Sequence, residues 1–220
     1  MPTPSEENYL KTIFSLLEKS GREPVLTNAI ADALSTSAAS VTEMLKRLAD
    51  KGLVKHEKYY GAELTKEGGR IARQLIRKHR LWETFLVEKL AFTWDEVHEA
   101  AEQLEHVHSK LLTDRLDDFL GNPKFDPHGD PIPDKNGKIT YHEERTLLDI
   151  NTGKSCVVVG VKDSSEDFLR FLDAQGIRIG SSLRVKQVFD FDSGREVTIN
   201  RRKSATLSGK ASENLYVKES

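Results

Sequence analysis

Apolar positions recur at helical spacing in the opening segment ENYLKTIFSLLEKSG, where Tyr9, Leu10, Ile13, Phe14, Leu16 and Leu17 share one side and the pattern stops at Gly21. LTNAIADALS predicts a second helix with Thr27 as its N-cap, and ASVTEMLKRLADKG a third that ends at Gly52. LVKHEKYYGAELT changes period and predicts two short strands about a turn at Gly61. TKEGGRIARQLIRKHRLWETFLVEKLAF, capped by Thr65, predicts a long helix. VHEAAEQLEHVHSKL, residues 97–111, predicts another, opened by Trp94 and Asp95, and LLTDRLDDFLGNP a further one. KFDPHGDPIPDKNGKIT is dense in Pro, Gly and Asp and reads as a loop or linker. From about residue 147 the pattern shortens to alternating runs, SCVVVGVK, SLRVKQVF, EVTINRR and ATLS, with one helical piece, SEDFLRFLDAQG. These predict a small β-barrel-like domain behind a mainly helical region.

Helix, tight turn, second helix and β-hairpin make the winged helix-turn-helix order. Its physical logic is groove size: the major groove of B-DNA admits one helix, which a preceding helix braces. Residues 38–50 are the expected reading helix. Val41, Met44, Leu45 and Leu48 face inward; Ser37, Ala39, Ser40, Thr42, Glu43, Lys46 and Arg47 lie at its start and on its outer side. Small residues at the start allow close approach to base edges. Lys46, Arg47 and Lys51 suit phosphates, as do Lys55, His56, Lys58 and Tyr59 of the hairpin. The alternative is an amphipathic helical pair used only for protein contacts.

The 97–111 segment raises a second question. His98, Glu102, Glu105 and His106 stand at i, i+4, i+7 and i+8, one polar stripe on a helix, flanked by Val97, Ala101, Leu104, Val107 and Leu111. On the preceding helix RKHRLWETF places His79 and Glu83 four apart. A lone helical histidine is ordinarily structural. Six His and Glu side chains at two matching spacings instead favour a divalent cation held between helices. Imidazole and carboxylate without thiolate point to Mn(II), Fe(II), Co(II) or Zn(II). His108 lies off the stripe and reads as solvated.

Composition narrows the classes. The chain has 220 residues, 31% charged, with net charge −2. The single cysteine, Cys156, excludes an internal disulfide framework and a thiolate-rich zinc site. The apolar runs are too short to span a membrane, and no signal peptide is visible, so a cytoplasmic protein without membrane partners is expected. The charge is uneven. Residues 1–80 carry 14 Lys+Arg against 10 Asp+Glu, while residues 81–140 carry 6 against 13. A basic first third can meet a polyanion and an acidic middle can hold cations.

NYLKTIFSL, SVTEMLKRLADKGLV, LTKEGGRIA, RKHRLWE, VHEAAEQLEHVHS and GDPIP together resemble the diphtheria toxin repressor family, which includes iron-dependent regulators and manganese transport regulators. The resemblance covers nearly the whole chain. It implies a winged helix over residues 1–73, a helical dimerisation and metal-binding domain over 74–140, and a C-terminal domain over 147–220 similar to SH3 and to the ferrous transport accessory protein. By motif position it implies that His79, Glu83 and His98 form an ancillary metal site. Glu102, Glu105 and His106 form the primary one, completed from the first helix by Asn8. Iron-type members carry Met at that position and Cys at the position of Glu102; manganese-type members carry Asp and Glu. Short manganese members also use an acidic residue where this chain has Lys11. Arg80 matches an anion-holding arginine, but the loop positions facing it are Asp126 and Asp130. The segment KDSSEDF offers Ser164, Glu166 and Asp167 as further candidates.

The implied function is a homodimeric, Mn(II)- or Fe(II)-dependent repressor of palindromic double-stranded operators, with Co(II) or Zn(II) able to substitute in vitro. The rivals are a DNA-binding protein with a purely structural metal, and a metal-dependent hydrolase. No HExxH motif supports the latter, and it leaves the winged helix without a role.

Overall fold

The computed structural model describes every residue except Met1, Arg22, Lys58, Tyr59, His142, Glu143 and Glu144. The chain divides into two compact units. One is built from residues 1–79, 104–110 and 133–138, the other from 80–103, 111–132 and 139–220.

In the first unit, α1 (Pro4–Lys19) opens with a reciprocal capping box. The Glu6 amide donates to the Thr3 hydroxyl, and the Thr3 amide donates to the Glu6 carboxylate. α2 (Thr27–Ala33) begins at Thr27, and its N-cap is Leu26, which has no side chain to cap with. The expected Thr27 cap therefore falls one residue late. α3 (Ala38–Asp50) is capped by Ser37, whose Oγ accepts from the Ser40 amide at 3.1 Å.

β1 (Val54–Glu57) and β2 (Gly61–Leu64) pair antiparallel from Val54↔Leu64 to Glu57↔Gly61, and Ala62 also bridges Val25. Gly61 thus opens the second strand. Its φ is +109°, and a Cβ there would lie 2.7 Å from the Val25 carbonyl oxygen, so only glycine fits. Leu10, Ile13, Ile30, Val41, Leu45, Leu48, Val54 and Ala62 form the core, joined by Ala72 of the long α4 (Lys66–Leu90). The Thr65 hydroxyl caps α4 by accepting from the Gly68 amide at 3.1 Å.

In the second unit, α5 (Val97–Leu104) and α6 (Lys110–Phe119) accompany the later turns of α4, and Leu81, Leu116 and Ile132 cluster with Trp82, Phe85 and Leu120. The single helix expected over 97–111 is interrupted: α5 ends at Leu104, and residues 105–109 belong to the first unit. Just past that end, the Glu105 carboxylate is wholly buried against a lysine and a histidine. The apolar side read across the segment is also discontinuous, because Val107 and Leu111 are exposed.

The remainder is β3 (Ser155–Val161), α7 (Glu166–Gln175), β4 (Ser182–Val188), β5 (Arg195–Ile199), β6 (Lys203–Leu207), α8 (Gly209–Glu213) and β7 (Leu215–Glu219). The five strands form one antiparallel sheet in the order β6-β5-β4-β3-β7. The four strand runs read from the sequence are present; α8 and β7 are additions. β7 is defined by long-range pairing with β3, Val158↔Val217 among its partners, which no local pattern reports. α7 contributes Leu169 and Leu172 to the core, and Trp94, from the segment before α5, enters it too. Its indole Nε1 donates to Asp173 at 3.2 Å. No helix among the described residues is long and apolar enough to cross a membrane.

Candidate metal centre and nucleic-acid interface

The first unit gathers acidic and imidazole groups against the first turns of α1. His106 Nδ1 lies 2.7 Å from Glu7 Oε2, and His108 Nδ1 lies 3.8 Å from Glu7 Oε1. Lys11 donates to both Glu105 oxygens, at 2.7 and 2.9 Å, and His79 Nδ1 stands 2.6 Å from Glu105 Oε2. Burial opposes ionisation of Glu105. The His79 hydrogen bond and the charges of His79 and Lys11 outweigh it and hold the carboxyl below its ordinary pKa. The half-buried Lys78 is pushed down by desolvation, an effect that Glu7 and Glu105 partly offset.

Asn8 shares a helix side with Lys11, three residues on. Its buried Oδ1 has no hydrogen-bond partner. A buried amide oxygen left in that state costs free energy unless a cation or water takes it up. This orphaned oxygen, on the helix side of the Lys11 that holds Glu105, suits a divalent cation with oxygen and nitrogen ligands.

Glu7 was not singled out in the sequence, yet it is buried and holds His106. The available signal was a doubled acid, Glu6 and Glu7, in the first turn of a helix. That pattern ordinarily reads as complementing the helix dipole.

The second unit holds another cluster. Glu83, Asp126 and His128 are buried, and each offers a ligand atom within 4.8 Å of the others. His128 Nδ1 lies 3.8 Å from Glu83 Oε2 and 3.9 Å from Asp126 Oδ1. Its Nε2 is 2.6 Å from the Trp94 carbonyl oxygen, and its ring stacks on Trp94. Asp126 Oδ1 accepts from the amides of His128 and Asp130, while Oδ2 has no hydrogen-bond partner.

Burial, then the charges of Glu83 and Asp130, push Asp126 up to about 8. Burial lowers His128, but the Glu83 hydrogen bond and the Asp126 charge outweigh it and raise the imidazole to about 9. His98, exposed, lies 3.1 Å from Glu83 Oε1 and 3.7 Å from Glu102 Oε1.

The expected groupings are therefore partly redistributed. Glu105 and His106 come together at α1 beside Glu7. Glu102, expected with them, pairs with His98. His79, one turn before Glu83 on α4, lies against Glu105 and also offers a ligand atom within 4.8 Å of Glu83 and His98, the grouping expected for it. Asp126 and His128 were missed as candidate ligands because they sit in the Pro- and Gly-rich loop, where periodicity carries no signal. Arg80 is 3.6 Å from both Asp126 and Asp130, so carboxylates already face the position where an anion would sit. Glu166 pairs with Arg170, which also reaches Asp95.

On the nucleic-acid side, Val41, Leu45 and Leu48 anchor α3 in the core, which leaves Ser37, Ala39, Ser40, Glu43, Lys46 and Arg47 exposed. Thr42 is half-buried, and its hydroxyl donates to the Ala38 carbonyl at 2.8 Å. Arg47 lies 3.5 Å from Glu43. Lys51 gives its ammonium to Glu6 at 2.7 and 2.8 Å, while its side chain stays 44% exposed. Lys58 and Tyr59 of the hairpin lie outside the described residues.

Three family models match along the chain. They are the N-terminal DNA-binding domain of the iron-dependent repressors over residues 1–62, their metal-binding and dimerisation domain over 65–134, and the FeoA domain over 145–219. The iron-dependent repressor IdeR of Mycobacterium bovis is 39% identical over 127 residues, 58% of this chain and 54% of that protein. The chain thus matches about half the length of such relatives. The HTH-type transcriptional regulator MntR of Oceanobacillus iheyensis is 36% identical over 57% of this chain and 84% of its own length. Among solved structures, a manganese-dependent transcriptional repressor in complex with manganese superposes with a TM-score of 0.84 at 37% identity, covering 97% of this chain and 99% of that one. The manganese regulator SloR superposes with a TM-score of 0.76 at 33% identity over the full length of both. By these matches, and with the winged helix, helical region and antiparallel C-terminal sheet in place, the chain belongs to the diphtheria toxin repressor family of iron- and manganese-dependent regulators.

Proposed function

We propose that this protein is a metal-activated, homodimeric transcriptional repressor of metal-homeostasis genes, acting in the cytoplasm on palindromic operators. The observation that carries the reading is the meeting of α1 with the segment after α5, through Glu7 with His106 and Lys11 with Glu105, on the same helix that carries the orphaned Asn8 oxygen. In this reading Asn8, Glu7, Glu105 and His106 hold the activating cation, with Glu102 assigned to the same site by motif. His79, Glu83 and His98 serve an ancillary site by motif and by geometry, with Asp126 and His128 added by geometry alone. Oxygen and imidazole donors without thiolate suit Mn(II), Fe(II), Co(II) or Zn(II), and the family of iron- and manganese-dependent regulators favours the first two.

A bound divalent ion supplies positive charge among the acids and a tie between two chain segments. The chain's own groups do the rest. Asn8 and Glu7 sit on the helix that packs Leu10 and Ile13 into the core shared with α3. Fixing the first turn of α1 against residues 105 and 106 therefore restricts the winged helix. Exposed Leu111, Leu112 and Phe119 on α6 offer apolar surface for a second copy. A dimer presents two α3 helices to successive major-groove faces, roughly 34 Å apart. Lys46 and Arg47 take phosphates, and Ser37, Ala39 and Ser40 approach base edges. Metal that favours the DNA-binding state must itself be bound more tightly when DNA is present.

The test is a titration of operator binding with Mn(II), Fe(II), Co(II) and Zn(II) at fixed salt, using a duplex selected from a random pool. Activation by Mn(II) or Fe(II) that chelator reverses is the expected result. Affinity unchanged by chelator, with the fold intact, would favour a structural metal instead.

A further inference from the structure

Three consecutive residues of α1 face three different tasks. Glu7 holds His106, Asn8 offers its buried oxygen, and Glu6 accepts from Lys51, the C-cap residue of the recognition helix α3, at 2.7 and 2.8 Å. Glu6 is 1% exposed, whereas the Lys51 side chain is 44% exposed. We infer that Glu6 and Lys51 are the positioning pair that carries the state of the metal centre to the recognition helix. The inference rests on the metal-activated reading above.

The geometry makes the link stiff at both ends. Adjacent helical residues are about 100° apart, so Glu6 and Glu7 point in different directions from one rigid turn. Glu6 is also locked by the capping box, with its Oε2 accepting from the Thr3 amide at 2.9 Å. Any rotation or shift of that turn toward a cation at Glu7 and Asn8 moves Glu6. At the other end, the Lys51 amide bonds to the Arg47 carbonyl at 3.2 Å, so Lys51 is part of the last hydrogen-bonded turn of α3. That turn carries Arg47, and Lys46 precedes it directly.

The buried carboxylate keeps the pair closed, because losing Lys51 would leave Glu6 charged, desolvated and without its ion-pair partner. For the same reason Lys51 does not serve as a phosphate contact: pairing with DNA would strip Glu6. Its role is to set where α3 ends relative to the first turn of α1.

The test measures operator affinity with and without Mn(II) for wild type, Glu6→Gln, Lys51→Met, the double variant and Lys51→Arg. The probe is the selected duplex, and Mn(II) affinity of the DNA-free protein is read separately by electron paramagnetic resonance. Gln at position 6 retains the capping-box hydrogen bond, and Lys51→Arg retains the ion pair, so neither is expected to disturb the fold.

The activation ratio should fall about tenfold in each single loss variant, within the usual span of allosteric coupling, and no further in the double variant. Lys51→Arg should recover most of it, and Mn(II) affinity without DNA should change by less than about threefold. Two results would overturn the inference. One is an activation ratio unchanged in Glu6→Gln and Lys51→Met. The other is a loss on Lys51→Met that is equal with and without Mn(II) and lowers the salt slope by about one, which marks a phosphate contact. If wild type itself ignores Mn(II), the metal-activated reading fails and the inference fails with it.

Discussion

Lys11 Nζ stands 2.7 Å from Glu105 Oε1, and the Glu105 side chain is fully shielded from solvent. An ammonium thus neutralises a carboxylate assigned here to the primary metal site, at the position where short manganese-type relatives place an acid. A tethered cation and a free one compete for the same oxygens.

Lys11→Met should therefore tighten Mn(II) binding by the metal centre. It should also destabilise the metal-free protein, on the order of 2 kcal/mol, because a buried carboxylate loses one partner while His79 stays. Urea unfolding with and without Mn(II) reads both effects. Equal metal-free stability in the variant and wild type would show that the Lys11 contact carries no weight.

Asn8→Asp should sharpen the metal response. The new carboxylate replaces a buried amide oxygen next in sequence to Glu7 and on the helix side of Lys11, so Mn(II) gains an anionic ligand. Without metal the added charge repels its neighbours and lowers basal operator binding. Superimposable Mn(II) activation curves for wild type and variant would remove Asn8 from the coordination set.

Asp126→Asn probes the second cluster through pH. Asp126 is raised to about 8 and His128 to about 9 in the folded chain. Both hold protons that the unfolded chain gives up earlier. Stability from Asp126 is fully present below its ordinary carboxyl range near pH 4, then declines as pH rises toward about 8. That from His128 declines between about 6.5 and 9. Metal-free wild type should lose stability from pH 5 to pH 9. Asp126→Asn, which cannot ionise, should lose less over the same range. Chemical denaturation in chelator at the two pH values measures the difference, and parallel losses would count against a protonated Asp126.

On α3 the exposed cations and the small residues should behave differently. Lys46→Ala should weaken binding to every sequence alike and reduce the salt slope by about one. Ser40→Val should instead change which operators are preferred, because the Ser40 hydroxyl lies at the exposed start of the helix. Selection experiments from a randomised duplex separate the two patterns. A flat response to both substitutions would displace α3 as the reader.

Much of this protein follows from local pattern. The 3.6-residue repeat of Leu10 and Ile13, and of Val41, Leu45 and Leu48, specified two helices and their buried sides, because burial of one side is what makes a short helix persist. Alternation specified four strands of the C-terminal sheet. The His and Glu residues named as ligands were visible because their types and helical spacings are unusual together.

Tertiary structure decided how they are shared out. The 97–111 pattern reads as one helix, whereas α5 ends at Leu104 and Glu105, just beyond it, meets Lys11 and His79, each more than twenty-five residues away in sequence. Glu7, Asp126 and His128 joined the candidate sites only through long-range packing. Lys51 likewise gained a buried partner, Glu6, that no local pattern reports. Periodicity reports which side of an element is buried. It does not report which distant charge a buried carboxylate meets, and desolvation makes that partner the deciding term.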